Sequence, residues 1–278
     1  MARRAIAVVS CVVALVAAGA CGKGEGSGGD THGARVEHFH LASRAVGRRL
    51  RETLVVPGGA SGRERRPLLV FLHGRGGDED SQLDDAMFAA LRRLGARAPV
   101  IVFPNGGEGS YWHDRRQGRW GTYVLSEVIP EALRRSHGDP RRVAVGGISM
   151  GGFGAYDLAR LDLRRFCAVG GHSPALWTDA GQTAPGAFDD AEDFSRHDVI
   201  GALRGNPGAF GSARVWLDAG VDDPFDPGDR AFVAALGPGA RGVTVHRFPG
   251  AHTHDYWASH WGDYLSFYAA ALATCGRG

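Results

Sequence analysis

A repeated change of period constrains this chain more than any other feature. Short apolar runs recur at RPLLVFLHG (66–74), APVIVFPNGG (98–107), RRVAVGG (141–147), RRFCAVGGHSPAL (164–176), SARVWLDAG (212–220) and GVTVHRFPG (242–250). Such runs suit strands buried on both faces. Between them lie segments with helical spacing: 80–95, which opens on an Asp/Ser cap signal, then 121–138, 150–161, 190–205, 229–237 and 255–273. Pro130 is expected to kink the second of these or to mark an early turn. Ahead of the series, 34–43 and 48–57 alternate as two strands joined around Val46-Gly47. Strands alternating with helices predict an α/β fold: a mostly parallel central sheet flanked by helices on both faces. In such sheets, functional residues belong in the loops at the carboxyl ends of strands.

The stretch VAVGGISMGGFGAYDLA (143–159) passes from strand to glycine-rich turn to helix around Ser149. It matches G-x-S-x-G through Gly147, Ser149 and Gly151. With 43 glycines in the chain the match alone is weak, and its context has to carry it. A strand, a tight turn and a helix are the setting that exposes a serine nucleophile. A serine hydroxyl also needs a base and an orienting acid, following in the order Ser, Asp/Glu, His. WLDAGVDDPFD follows a strand and offers Asp218, Asp222, Asp223 and Asp226, of which Asp218 is expected to shape the turn. FPGAHTHDYW follows the last strand and offers His252 and His254. The loop HGRGG after the third strand is expected to supply the backbone N–H of Arg75 to an oxyanion hole, with the N–H of Met150 as its second donor. His73 reads as scaffold of that loop.

Taken together, RPLLVFLHGRGG, VIVFPNGG, GTYVLSEVIPE, GGISMGGFGA, LDAGVDDPF and GAHTHDYW resemble, in that order, the esterase D-like branch of the α/β-hydrolases. That branch holds S-formylglutathione hydrolases, feruloyl-type esterases and mycolyltransferases, and the resemblance covers roughly residues 35–272. It implies that Asp223, three residues after Gly220, is the acid. It also implies that His252, after Gly250-Ala251, is the base, with Trp257 at the final aromatic of the family pattern; His254 stands where the family usually has Trp. The implied chemistry is acyl transfer through Ser149, and no cofactor or metal is required. The leading expectation is a serine carboxylesterase. An envelope acyltransferase of the mycolyltransferase kind and a non-catalytic surface binding protein on the same scaffold are the alternatives. The expected partner is a small-molecule or an envelope lipid or sugar ester.

Several residues have plainer readings. His38 and His40 share one face of a strand and lack a third ligand at metal spacing, so they read as a plain strand pair. Trp112, His172 and Trp177 follow strands and are expected to line a substrate pocket, with packing an equal reading for Trp112. Trp257 and Trp261, four apart on a helix, read as core.

The first 20 residues read as a signal peptide: MARR, then an apolar run from Ala5 to Ala18, then the small-residue pattern Ala18-x-Ala20. The run is shorter than the about 20 residues a membrane span needs. Cys21 follows at once and opens a Gly/Ser-rich tether (21–34), a layout that resembles a lipoprotein with Cys21 lipidated. Ordinary secretion with cleavage at the same bond is the other reading. Either places the domain of residues 35–278 outside the cytoplasm, reaching a membrane only through its N-terminus. There Cys167 and Cys275 could pair, although a buried free thiol suits the apolar run around Cys167 equally well. A formal charge of +2 without a clustered basic face gives no footing for nucleic acid.

Overall fold

The computed structural model describes residues 30–59, 65–206, 208–237 and 242–275. The expected signal peptide and Cys21 lie outside the described residues. At the end of the expected tether the His32 ring bonds Asp85 at 3.0 Å, and the half-buried Ala34 packs against the core.

Eight strands form one sheet: β1 (Arg35–Ser43), β2 (Arg48–Val56), β3 (Leu68–Leu72), β4 (Val100–Phe103), β5 (Val143–Ile148), β6 (Phe166–His172), β7 (Arg214–Gly220) and β8 (Val243–Phe248). Their order is β1-β2-β4-β3-β5-β6-β7-β8. The β1–β2 hairpin is antiparallel and β2 meets β4 antiparallel; from β4 onward every pairing is parallel. The chain therefore has the mostly parallel α/β architecture that its change of period predicts.

Because successive side chains of a strand point to opposite faces, one apolar run feeds two cores. Leu68, Val70 and Leu72 pack on one face with Val102, Phe153 and Leu158, while Leu69 and Phe71 pack on the other with Phe103, Leu91, Trp261 and Leu265. Helices α1 (Asp85–Leu94) and α7 (His254–Thr274) cover the second face. Helices α2 (Ile129–Ser136), α3 (Met150–Leu161), α5 (Val199–Gly205) and α6 (Asp226–Leu236) cover the first, and the short α4 (Ala191–His197) precedes α5.

Local chemistry sets the helix ends. Asp84 caps α1 by accepting from the Met87 N–H at 2.7 Å. The stretch 190–205 is two helices, because Asp198 ends α4 and caps α5 by accepting from the Gly201 N–H at 2.8 Å. Pro130 lies in the first turn of α2, directly after a π-helical stretch Val124–Val128; residues 120–136 run on as one helix, and the proline follows where its ladder is widened. Among the described residues no helix is long and apolar enough to cross a membrane.

Cys167, in β6, is bonded to Cys275, at the end of α7, with their Cα atoms 5.7 Å apart. The free-thiol reading of Cys167 is thereby replaced. Its neighbours are apolar as expected, but α7 returns its last turn to the start of β6 and brings the second sulfur with it. His38 stays in the β1–β2 ladder, its ring bonded to Thr53 Oγ1 at 2.9 Å.

Candidate active site

Ser149 sits between β5 and α3 with φ 54° and ψ −113°, backbone angles that few non-glycine residues adopt. The crowding around it explains the flanking glycines. A Cβ on Gly151 would stand 2.0 Å from the Leu72 carbonyl oxygen, and one on Gly147 would stand 2.5 Å from the Gly151 carbonyl. The turn is held by the Ser149 N–H donating to His172 O at 3.0 Å, and by Phe153 and Ala175 N–H groups donating to Ser149 O at 3.0 Å each. The start of α3, with its free N–H groups and positive dipole end, lies directly beside the serine.

Two other loops converge on Ser149. The loop after β7 and the loop after β8 are joined by Val221 N–H donating to Phe248 O at 2.9 Å and Asp222 N–H donating to Gly250 O at 3.0 Å. They touch because Gly220 has no side chain: a Cβ there would lie 2.2 Å from Gly250 O. The first loop carries Asp223 and the second His252. His252 Nε2 stands 2.9 Å from Ser149 Oγ, and His252 Nδ1 stands 3.0 Å from Asp223 Oδ2. The Phe225 N–H donates to Asp223 Oδ1 at 2.9 Å. Burial by itself would raise the Asp223 carboxyl, but the His252 and Phe225 hydrogen bonds outweigh it and hold the group below its ordinary value. Asp223 is thus a buried, ionised acceptor behind a histidine whose other nitrogen faces a serine.

The other candidate side chains lie in different surroundings. Asp222 is exposed at the loop tip, and His254 is exposed with Nε2 3.7 Å from Asp84, so neither reaches Ser149. His73 is buried; its Nε2 accepts the Gly106 N–H at 2.9 Å, so its proton is on Nδ1, which donates to Gly74 O at 2.8 Å. Burial lowers its proton affinity and keeps the ring neutral, as a brace of the loop carrying Arg75. Gly74 packs against Ser149, and the exposed Arg75 follows it, its guanidinium beside the Tyr111 hydroxyl. Met150 opens α3, where its N–H lies in the unpaired first turn.

Three expectations need correction. Trp112 is fully buried: its ring packs over Gly106 and Gly154, and its Nε1 donates to His73 O at 3.2 Å, so it supports the Arg75 loop from beneath. His172 is also fully buried; its side chain points toward α7, bonding Asp218 at 2.7 Å and the Tyr268 hydroxyl at 2.9 Å. Asp218 does more than shape a turn, since Trp216 Nε1 and the Tyr256 and Tyr264 hydroxyls also donate to it, at 2.7, 2.7 and 2.9 Å. Trp177, by contrast, is half-buried among Tyr111, Phe153, Phe188 and Phe225.

Two rings flank His252, of which the sequence offers Trp257 only as the family pattern's final aromatic and as core, and Phe225 not at all. Phe225 lies 5.2 Å from the imidazole and Trp257 meets it edge-on at 5.0 Å. Phe225 was findable from its place two residues after Asp223. Trp257 shares a helical stripe with the core residue Trp261 and was masked by it.

A strained serine at a strand–helix turn, backed by a histidine and a buried carboxylate on an α/β sheet, defines the serine-hydrolase class. Residues 43–266 match the model of the esterase family described as "Putative esterase", and the chain belongs to that family. Esterase Rv1288 of Mycobacterium tuberculosis is 33% identical over 115 residues, which cover 38% of this chain and 25% of that protein. The chain thus spans about a quarter of the length of that relative. The diacylglycerol acyltransferase/mycolyltransferase Ag85A of Mycobacterium tuberculosis is 24% identical over 270 residues, covering 82% of this chain and 78% of that one. Among solved structures, a ferulic acid esterase superposes with a TM-score of 0.76 at 20% identity, covering 86% of this chain and 98% of the other. An S-formylglutathione hydrolase from Agrobacterium tumefaciens does so with a TM-score of 0.71 at 18% identity, covering 86% and 96%. These neighbours share the α/β-hydrolase fold.

Proposed function

We propose that this protein is a serine carboxylesterase acting through an acyl-enzyme on Ser149. The observation that carries the reading is the pair of contacts from His252, 2.9 Å to Ser149 Oγ and 3.0 Å to Asp223 Oδ2. His252 Nε2 takes the Ser149 proton as the oxygen attacks the ester carbonyl. The Arg75 and Met150 N–H groups donate to the oxyanion, each such donor contributing about 3–4 kcal/mol to the barrier reduction. Asp223 holds the proton on Nδ1 and stabilises the imidazolium. His252 then protonates the departing alcohol, and a water deprotonated by His252 releases the acid. Phe225 and Trp257 supply apolar surface beside His252, and Trp177 packs against Phe225.

The protein works outside the cytoplasm, either bound through a lipid on Cys21 or secreted. The N-terminal sequence supports export, and the Cys167–Cys275 bond suits an oxidising compartment. The alternative of envelope acyl transfer is favoured by the similarity to Ag85A across most of both chains.

A series of 4-nitrophenyl esters of increasing acyl length, with fluorophosphonate labelling, tests the reading on wild type and Ser149→Ala. Turnover and labelling that both vanish in Ser149→Ala are expected. An inert wild type, or an equally active variant, removes it. Ester product on trehalose or glycerol forming faster than free acid would select acyl transfer. An unlabelled Ser149 would favour a binding protein on this scaffold.

A further inference from the structure

A cavity of about 490 Å³ opens beside the Arg75 loop, walled by that residue, the Gly106–Gly109 turn, Arg48, Arg115 and Trp120. It adjoins the Ser149 site, because Gly74 on the same loop packs against Ser149. Three guanidinium groups border this space, and they differ in what occupies them. Arg115 is fully engaged: Nε and Nη2 donate to Asp189 Oδ1 at 3.2 and 3.1 Å, and Nη1 donates to Gly109 O and Gly186 O at 3.1 and 2.9 Å. It ties the two walls together. Arg48 and Arg75 are exposed, and among the described residues neither has an ion-pair partner. Glu108 is the one carboxylate on the described wall.

We propose that this cavity binds a negatively charged group, a carboxylate or a phosphate, carried by the ester substrate, with Arg48 and Arg75 as its ligands. The proposal rests on the esterase reading above. Guanidinium groups present forked donors that match such oxyanions, and charge-assisted hydrogen bonds are the stronger kind. Arg75 links recognition to chemistry. Its side chain borders the cavity while its own backbone N–H is the donor proposed for the oxyanion, so an anion held by the guanidinium also restrains that donor.

The test compares kcat/KM for matched pairs at low salt. Mono-4-nitrophenyl adipate against 4-nitrophenyl hexanoate places the charge on the acyl side. The compounds 4-acetoxybenzoate and 4-acetoxyphenyl phosphate against phenyl acetate place it on the alcohol side and separate carboxylate from phosphate. At least one charged ester is expected to be preferred about tenfold, the scale of one charge-assisted hydrogen bond. Read as the charged-to-neutral ratio within each variant, the preference should fall several-fold in Arg48→Gln, where Arg75 alone remains, persist in Arg48→Lys, grow in Glu108→Gln and shrink with added salt. Parity of charged and neutral esters in an active wild type, or a preference undiminished in Arg48→Gln, overturns the subsite and leaves the esterase reading standing. No turnover of any ester overturns both.

Discussion

Asp218 and Asp223 leave the same strand end five residues apart and serve different histidines. Asp223 bonds His252, which reaches Ser149, whereas Asp218 bonds His172, whose far nitrogen ends on the Tyr268 hydroxyl. Each pair is a carboxylate behind an imidazole, and only one of them faces a nucleophile.

The two should therefore separate by readout. Asp223→Asn loses the group that fixes the His252 tautomer and should lower kcat about 10⁴-fold, with little change in melting temperature. Asp218→Asn disrupts a buried carboxylate that accepts from four side chains and should cost about 3–5 kcal/mol of stability. Chemical denaturation and ester kinetics on both variants check this. The reverse pattern would exchange their roles.

Gly151→Ala should damage folding and activity together. Its Cβ would lie 2.0 Å from Leu72 O, a backbone atom of β3 that cannot turn aside. Moving α3 away from β3 displaces Ser149, and overpacking of this kind typically costs about 1–3 kcal/mol. The measurement is the denaturation midpoint beside the rate of fluorophosphonate labelling. Unchanged values in both would contradict the crowding described at this turn.

Replacing Cys167 and Cys275 together by Ala should lower stability by about 2–4 kcal/mol, the usual range for a bond that closes a long loop. Oxidised wild type should match the double variant once it is treated with reductant. A midpoint insensitive to reductant would mean the two sulfurs are not joined in solution.

Glu52 predicts a loss of stability toward alkaline pH. Burial first, and then the charge of Glu79, push its carboxyl up to about 8, against hydrogen bonds from the Tyr123 hydroxyl and the Asn105 N–H. The folded protein keeps this proton over a range in which the unfolded chain has released it. The resulting stability is complete below the ordinary value of 4.5 and is lost as pH rises through about 8. Melting temperatures at pH 6 and pH 9 should fall further for wild type than for Glu52→Gln. Equal falls would show that Glu52 is not the group responsible.

What the sequence revealed depended on whether the signal was local. Ser149 was legible because its glycines, strand and helix lie within a dozen positions. The loops of Asp223 and His252 were legible as strand-end loops, but their contact depends on Gly220 meeting Gly250, which only the parallel β7–β8 pairing reveals. His172 was misplaced because position after a strand does not say which face a side chain takes; the pleat turns it toward Phe71 and Tyr264. Trp112 stayed open between pocket and packing; Tyr111 and Trp112 both adopt positive φ, 52° and 60°, and fold the indole inward, which settles it as packing. Aromatic residues give no sequence warning of that conformation, as Gly or Asn would.

The Cys167–Cys275 bond also has a geometric consequence. Helix α7 contains 21 residues, about 30 Å of rod at 1.5 Å per residue, with the bond fastened at one tip and His252 just beyond the other. A swing of one degree about the fastened tip carries the free tip through about 0.5 Å, the tolerance to which a working constellation must be held. Trp261, Tyr264, Leu265 and Tyr268 seat the rod on the sheet between those tips, so the sulfur bridge and this seating together keep the imidazole end in register with the serine.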